Sequence, residues 1–187
     1  MKVNLKEIVE SLIGSFLEAG DLSIQLREKG LVKKIKSDNT PVSNGDLEVN
    51  KIITKKIKKL TPDIPIISEE TSENKTLADL KNFWLIDPID GTFDYINNLD
   101  EFTINAGLII NRKPEAGLIY APAKKRLFFS YGNDEAYELI DGKKIKLECS
   151  KNFNKDNIKF VSYSNKIKPE IEKIFKQLNV KQYSKMK

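Results

Sequence analysis

Two aspartates three residues apart stand in the run Asp87-Pro88-Ile89-Asp90-Gly91-Thr92, directly after the apolar stretch Phe83-Trp84-Leu85-Ile86. Carboxylates are hard oxygen donors, and Mg²⁺ is held by a few of them together with water and phosphate oxygens. Pro88 pushes Asp87 into an extended conformation, so Asp87 is expected at the exit of a strand with its carboxylate held outward. Asp90 can turn back toward the same point, and the Ile89 carbonyl between them offers a third oxygen. Gly91 lets backbone approach a ligand closely, and Thr92 can start a helix whose free N–H groups accept a phosphate. Taken alone, the same residues also make an ordinary turn followed by a helix cap.

Two more acidic positions bear on that corner. Glu69-Glu70 closes the short β-branched stretch from Ile64 to Ser68. If that stretch is a strand beside the one ending at Asp87, Glu69 and Asp87 converge at one edge; otherwise the two glutamates are a solvated charge pair. Asp46 follows Thr40-Pro41-Val42-Ser43 and is either the N-cap of a helix or a further acid at the site.

Composition narrows the chemistry. The chain has no histidine, which excludes a Ser-His-Asp triad, a Cys-His pair, a histidine base and the usual zinc sites. Any metal is then held by oxygens, which favours Mg²⁺, Mn²⁺ or Ca²⁺. The single cysteine, Cys149, allows no internal disulfide and fits a reducing cytoplasm. The net charge is +5, and all but Arg27, Arg112 and Arg126 of the 32 basic residues are lysine. Nucleic-acid readers lean on arginine forks, so no nucleic-acid partner is expected; the surface suits anionic small molecules and, weakly, an anionic membrane face.

The elements that must position these residues follow from periodicity. Leu5, Ile8, Val9, Leu12, Ile13, Phe16 and Leu17 predict an amphipathic helix from about Leu5 to Glu28. Val32 to Lys36 reads as a short strand, followed by a polar loop from Ser37 to Asp46. A second helix is expected from about Asp46 to Leu60, with Val49, Ile52, Ile53, Ile57 and Leu60 on one face. Strands are then expected over Ile64–Ser68 and Phe83–Ile86, the latter ending where the aspartate motif begins. A meander follows over Phe102–Ile110, Glu115–Tyr120, Arg126–Tyr131, Ala136–Ile140 and Lys143–Leu147. Lys159 to Tyr163 opens a new strand and Pro169 to Leu178 a new helix. At 187 residues, 40% hydrophobic and 32% charged, the chain is expected to be a soluble layered α+β protein of one domain, or of one domain plus part of another. No stretch approaches the roughly 20 apolar residues that span a bilayer. Glu7, Glu10 and Glu18 break up any signal-peptide core.

Thr40-Pro41-Val42-Ser43-x-x-Asp46, Ser68-Glu69-Glu70 and Asp87-Pro88-x-Asp90-Gly91-Thr92 resemble three ordered motifs of the inositol monophosphatase superfamily of lithium-sensitive, Mg²⁺-dependent phosphomonoesterases. The run Thr61-Pro62-Asp63-Ile64-Pro65-Ile66-Ile67-Ser68-Glu69-Glu70, the run Glu101-Phe102-Thr103-Ile104-Asn105, and Tyr120-Ala121-Pro122 resemble its CysQ branch. Those enzymes are 3'(2'),5'-bisphosphate nucleotidases, which take the 3'-phosphate from 3'-phosphoadenosine 5'-phosphate to give AMP and phosphate. Phe93-Asp94-Tyr95 departs from that branch, which more often has a lysine and a glutamate before the aromatic residue.

The resemblance implies a layered α/β/α sugar-phosphatase fold. It implies two or three Mg²⁺ ions, inhibition by Li⁺, and a phosphorylated nucleotide as substrate in the cytoplasm or at the inner membrane face. It implies Glu69, Asp87, the Ile89 carbonyl and Asp90 as metal ligands. Asp46 and Thr92, with Glu69, would activate the attacking water, and Asp90, Gly91 and Thr92 would hold the phosphate. An inositol-phosphate or sugar-phosphate phosphatase, or a metal- and phosphate-binding remnant without turnover, are the alternatives. The family's further Trp-Asp motif has no counterpart here: the one tryptophan is Trp84, and no aspartate follows Asp156. The expectation is therefore a first domain over residues 1–156 that carries the site and an incomplete α/β domain over 157–187, with roughly a quarter of a family chain missing.

Overall fold

The computed structural model describes residues 4–36, 40–70, 80–149, 158–162, 167–180 and 182–185. The middle of the polar loop at 37–39, the expected domain boundary at 156 and the predicted strand end at Tyr163 lie outside the described residues. The chain divides into two compact units, Met1–Glu148 and Cys149–Lys187.

In the first unit, helix α1 (Leu5–Lys29) starts where the Asn4 side chain accepts from the Glu7 N–H, and buries Val9, Leu12, Phe16 and Ala19. A two-stranded antiparallel ribbon follows, β1 (Lys33–Ile35) with β2 (Pro41–Ser43). Helix α2 (Asn44–Leu60) buries Val49, Ile53 and Ile57 at fourfold spacing. It begins two residues before the expected start, because Ser43 rather than Asp46 is its N-cap. Asp46 sits at the third helical position and accepts from the Ser43 N–H, so the two residues form a capping box.

The core sheet has seven strands in the order β3-β4-β5-β6-β7-β8-β9. They are β3 (Ile66–Ser68), β4 (Phe83–Asp90), β5 (Thr103–Ile110), β6 (Lys113–Ala121), β7 (Arg126–Ser130), β8 (Ala136–Ile140) and β9 (Lys143–Lys146). The predicted meander is present as β5 to β9. The β3–β4 pair is parallel, so the sheet is mixed. A five-residue helix, α3 (Thr92–Ile96), follows β4. The β5–β6 turn places Asn111 and Arg112 both at positive φ, the geometry that matches the twist of a tight hairpin.

Alternation decides the two faces of this sheet. Trp84, Ile86, Ile104, Ala106, Leu108, Leu118 and Leu127 are buried on one face, where α2 lies against β4 and α1 against β6. The Trp84 indole N–H donates to Thr61 Oγ1 at the end of α2, 3.0 Å away, which satisfies the polar atom of the largest core side chain. The other face carries Leu85 and Ile119, each about half exposed. A concavity of about 1130 Å³ is lined there by Leu85, Asp87, Asn105, Ile119 and Phe128.

The second unit is a parallel βαβ element: β10 (Lys159–Ser162), α4 (Pro169–Gln177) and β11 (Gln182–Lys185). The Phe160 and Phe175 rings meet at 4.4 Å between centroids, but no residue of α4 is buried. Among the described residues no helix is long and apolar enough to cross a membrane.

Candidate functional site

Strand β4 does not stop at Ile86 as the sequence suggests; it runs through Pro88 to Asp90. In a straight strand Asp87 and Asp90, three apart, would point to opposite faces. The register with β5 shifts between them: Asp87 pairs with Asn105, whereas Asp90 pairs with Thr103. That extra residue is a β-bulge, and it returns Asp90 to the face that already carries Asp87. Pro88, with no N–H to donate, sits where the ladder is interrupted. Asn105 Nδ2 donates to Asp90 Oδ2 at 3.2 Å. Gly91 then adopts φ 91°, and a Cβ there would fall 2.7 Å from the Glu101 carbonyl oxygen, so only glycine fits the turn into α3.

Glu69 arrives on the neighbouring parallel strand. Its backbone N–H donates to the Ile86 carbonyl at 3.1 Å, which continues the β3–β4 pairing one residue past the strand. The expected convergence with Asp87 is present: the two strands are neighbours, and the Glu69 carboxylate is near enough for its charge to act on Asp87. Burial first, then the negative charges of Glu69, Asp90 and Asp46, push the Asp87 carboxyl up to about 7. Lys36, at the end of β1, reaches over to Glu69 Oε1 at 3.1 Å and Glu70 Oε1 at 2.8 Å. Glu70 is nearly covered, and its burial raises its pKa in spite of the lysine; the lysine's own burial is outweighed by the two carboxylates, which raise it.

Asp46 enters from α2 and is 1% exposed. One of its oxygens accepts from the Ser43 N–H at 2.8 Å and the Ser43 hydroxyl at 2.6 Å. The other faces Thr92 Oγ1 at 3.2 Å, and that hydroxyl also faces the Ile89 carbonyl at 2.9 Å. A hydroxyl has one proton for these two acceptors, so Asp46 and the Ile89 carbonyl compete for it. The Tyr95 ring sits against Gly45, where a Cβ would come within 2.4 Å of the phenol oxygen, and its hydroxyl donates to the Ser23 carbonyl at 2.7 Å. This contact ties α1, the start of α2 and α3 together around Asp46.

The structure thus brings Asp46, Glu69, Asp87, Ile89, Asp90, Gly91 and Thr92 to one end of β4. Among the described residues, no group of three His, Cys, Asp or Glu side chains forms a ready-made metal site. The donor set nevertheless fits a hard cation: the donors are oxygens, and Asp87 Oδ1 is buried with no hydrogen-bond partner among the described residues. Lys36, Ser43, Asn105 and Tyr95 were not assigned roles from sequence. Only Ser43 carried a local signal, the spacing Ser43-x-x-Asp46 of a capping box; the others act across the fold.

Known proteins resemble this chain in sequence and in fold. The model of the inositol monophosphatase family matches residues 4–186. The chain is 32% identical over 152 residues to the 3'(2'),5'-bisphosphate nucleotidase CysQ of Aggregatibacter actinomycetemcomitans, covering 79% of this chain and 55% of that one. Among solved structures, a Staphylococcal inositol monophosphatase-1 in a lithium-soaked inhibitory complex superposes with a TM-score of 0.77 at 17% identity, covering 99% of this chain and 68% of that one. An IMPase/NADP phosphatase complexed with Mg²⁺ and phosphate superposes at 0.75 and 18%, covering 98% and 68%. These likenesses establish the fold. The chain spans about half the length of the curated relatives it matches, 55% and 51% for two of them. The chain belongs to the inositol monophosphatase family.

Proposed function

We propose that this inositol monophosphatase family member is a Mg²⁺-dependent phosphomonoesterase that removes the 3'-phosphate of 3'-phosphoadenosine 5'-phosphate. The observation that carries the reading is the convergence of Glu69, Asp87 and Asp90 on one face of two adjacent strands, with the buried Asp87 Oδ1 left without a partner among the described residues. The likeness to curated CysQ enzymes supports the nucleotide as substrate.

In this reading Glu69, Asp87, the Ile89 carbonyl and Asp90 hold the cations. Bound Mg²⁺ supplies charge neutralisation at the phosphoryl oxygens and acidifies water. The chain's own part is proton handling and orientation. Asp46 is fixed by two Ser43 donors, so its remaining oxygen is free to take the Thr92 hydroxyl proton. Thr92 Oγ1 then accepts from the attacking water and aims its lone pair at phosphorus. Asp90, Gly91 and Thr92 position the phosphate, and the water oxygen displaces the ribose oxygen in line, which takes a proton from solvent water to leave as the 3'-hydroxyl, with no covalent enzyme intermediate. The enzyme would act on a diffusible nucleotide in the cytoplasm and be inhibited by Li⁺.

Phosphate release from 3'-phosphoadenosine 5'-phosphate, measured with and without Mg²⁺ beside inositol 1-phosphate, tests this. Release that needs Mg²⁺ and favours the nucleotide is expected. Preference for inositol 1-phosphate would move the assignment to inositol phosphates, and metal binding without turnover on either would identify a non-catalytic binding module.

A further inference from the structure

Four observations meet at Asn105. It is the register partner of Asp87 across the β4–β5 pair, immediately beside the bulge that re-aims Asp90. Its amide nitrogen holds Asp90 Oδ2 at 3.2 Å. Its amide oxygen is buried with no partner among the described residues, as is Asp87 Oδ1. Both residues line the same concavity on the open sheet face. The amide orientation is fixed by chemistry: turned the other way, its oxygen would face the Asp90 carboxylate, an acceptor against an acceptor.

A buried carbonyl oxygen without a donor is costly, and the great majority of such atoms find one. Among the described residues no donor reaches this one, and it stands on the face where the acidic residues gather. A Mg²⁺ ion keeps several of its waters, and those waters are strong donors.

We propose that Asn105 is a positioning residue of the cation site. Its N–H holds the Asp90 carboxylate in place, and its Oδ1 accepts a hydrogen bond from the hydration water of the bound cation. The inference rests on the metal-dependent reading above and deepens it. Both polar ends of one amide are used: the donor on a ligand, the acceptor on the cation's water. Outer groups of this kind change metal affinity on the order of 10–100-fold.

The test uses the full chain with Mn²⁺ as probe, followed by electron paramagnetic resonance of the free ion, together with the melting temperature of the metal-free protein. Asn105→Ala is expected to weaken Mn²⁺ binding about 10–100-fold while the metal-free melting temperature is unchanged or rises, because an unpaired buried oxygen has been removed. Asn105→Leu, which keeps the volume without either polar atom, carries the same expectation if the truncation unfolds the sheet. Mn²⁺ affinity within twofold of wild type overturns the proposal, and so does a metal-free melting temperature that falls along with the affinity, since that marks a scaffold residue. Wild-type protein that binds no Mn²⁺ defeats the metal-dependent reading as well; wild-type binding with an unchanged variant defeats the Asn105 role alone.

Discussion

The two faces of the β4–β5 pair share one backbone and have opposite chemistry. On one face Trp84, Ile86, Ile104, Ala106 and Leu108 are buried under the helices. On the other stand Asp87, Asp90 and Asn105, with two buried oxygens that have no partner among the described residues. The first face supplies folding free energy by removing apolar surface from water. The second works against it, since like charges crowd Asp87. A sheet that alternates side chains can carry both, and a single bulge decides how many acids the second face receives. Folding and chemistry should therefore be separable by mutation along the same two strands.

The largest separation is expected at Asp90. Asp90→Asn keeps the shape and removes a charge from the open face. Turnover should fall on the order of 10⁴-fold, several kcal/mol of barrier, with a melting temperature close to wild type in a thermal scan. A comparable loss of stability would show that the faces are not independent.

The converse change is on the covered face. Ile86→Ala should cost about 2–5 kcal/mol in urea unfolding, from lost burial and the cavity left behind. Turnover per folded molecule should stay within a few-fold of wild type. A collapse of activity in the fraction that remains folded would mean that the helix face also sets the geometry of the acids.

The smallest effect is a pH dependence. Asp87 is raised from its ordinary value to about 7 in the folded, metal-free protein, so between about 4 and 7 the native state binds the extra proton. Stability must then fall as pH rises through that window, and it is fully present below it. With solvent screening of a half-buried group the loss should be roughly 1–2 kcal/mol. Asp87→Asn should flatten the profile and leave the metal-free protein more stable than wild type at pH 8. Urea midpoints across pH 5 to 8 check the sign, and a wild-type profile that rises toward pH 8 would contradict it.

The covered face was legible from sequence because its signal is local. Val49, Ile53 and Ile57 at fourfold spacing, and Trp84 and Ile86 alternating with Leu85, place themselves. The acidic face was legible in its members but not in its geometry. Proline after Asp87 reads as the end of a strand, yet the strand continues because the bulge absorbs the missing N–H. Asp46 reads in sequence as either an N-cap or a further acid at the site; Ser43 is the cap and leaves Asp46 an oxygen to face Thr92, 46 residues away. Lys36 is one lysine among many in sequence, and only the fold brings its side chain onto Glu69 and Glu70. The strand from Lys159 and the helix from Pro169 read from periodicity, whereas β11, which closes the βαβ unit, was not expected, and the lack of buried residues in α4 had no sequence signature.

Mg²⁺ titration calorimetry on the full chain, wild type beside Asp90→Asn, tests most directly whether the acidic face is a cation site. Saturable Mg²⁺ binding by the wild type, lost or weakened at least about 100-fold in the variant at unchanged melting temperature, is the predicted result. Equal binding curves for the two proteins, or no binding by either, would contradict it.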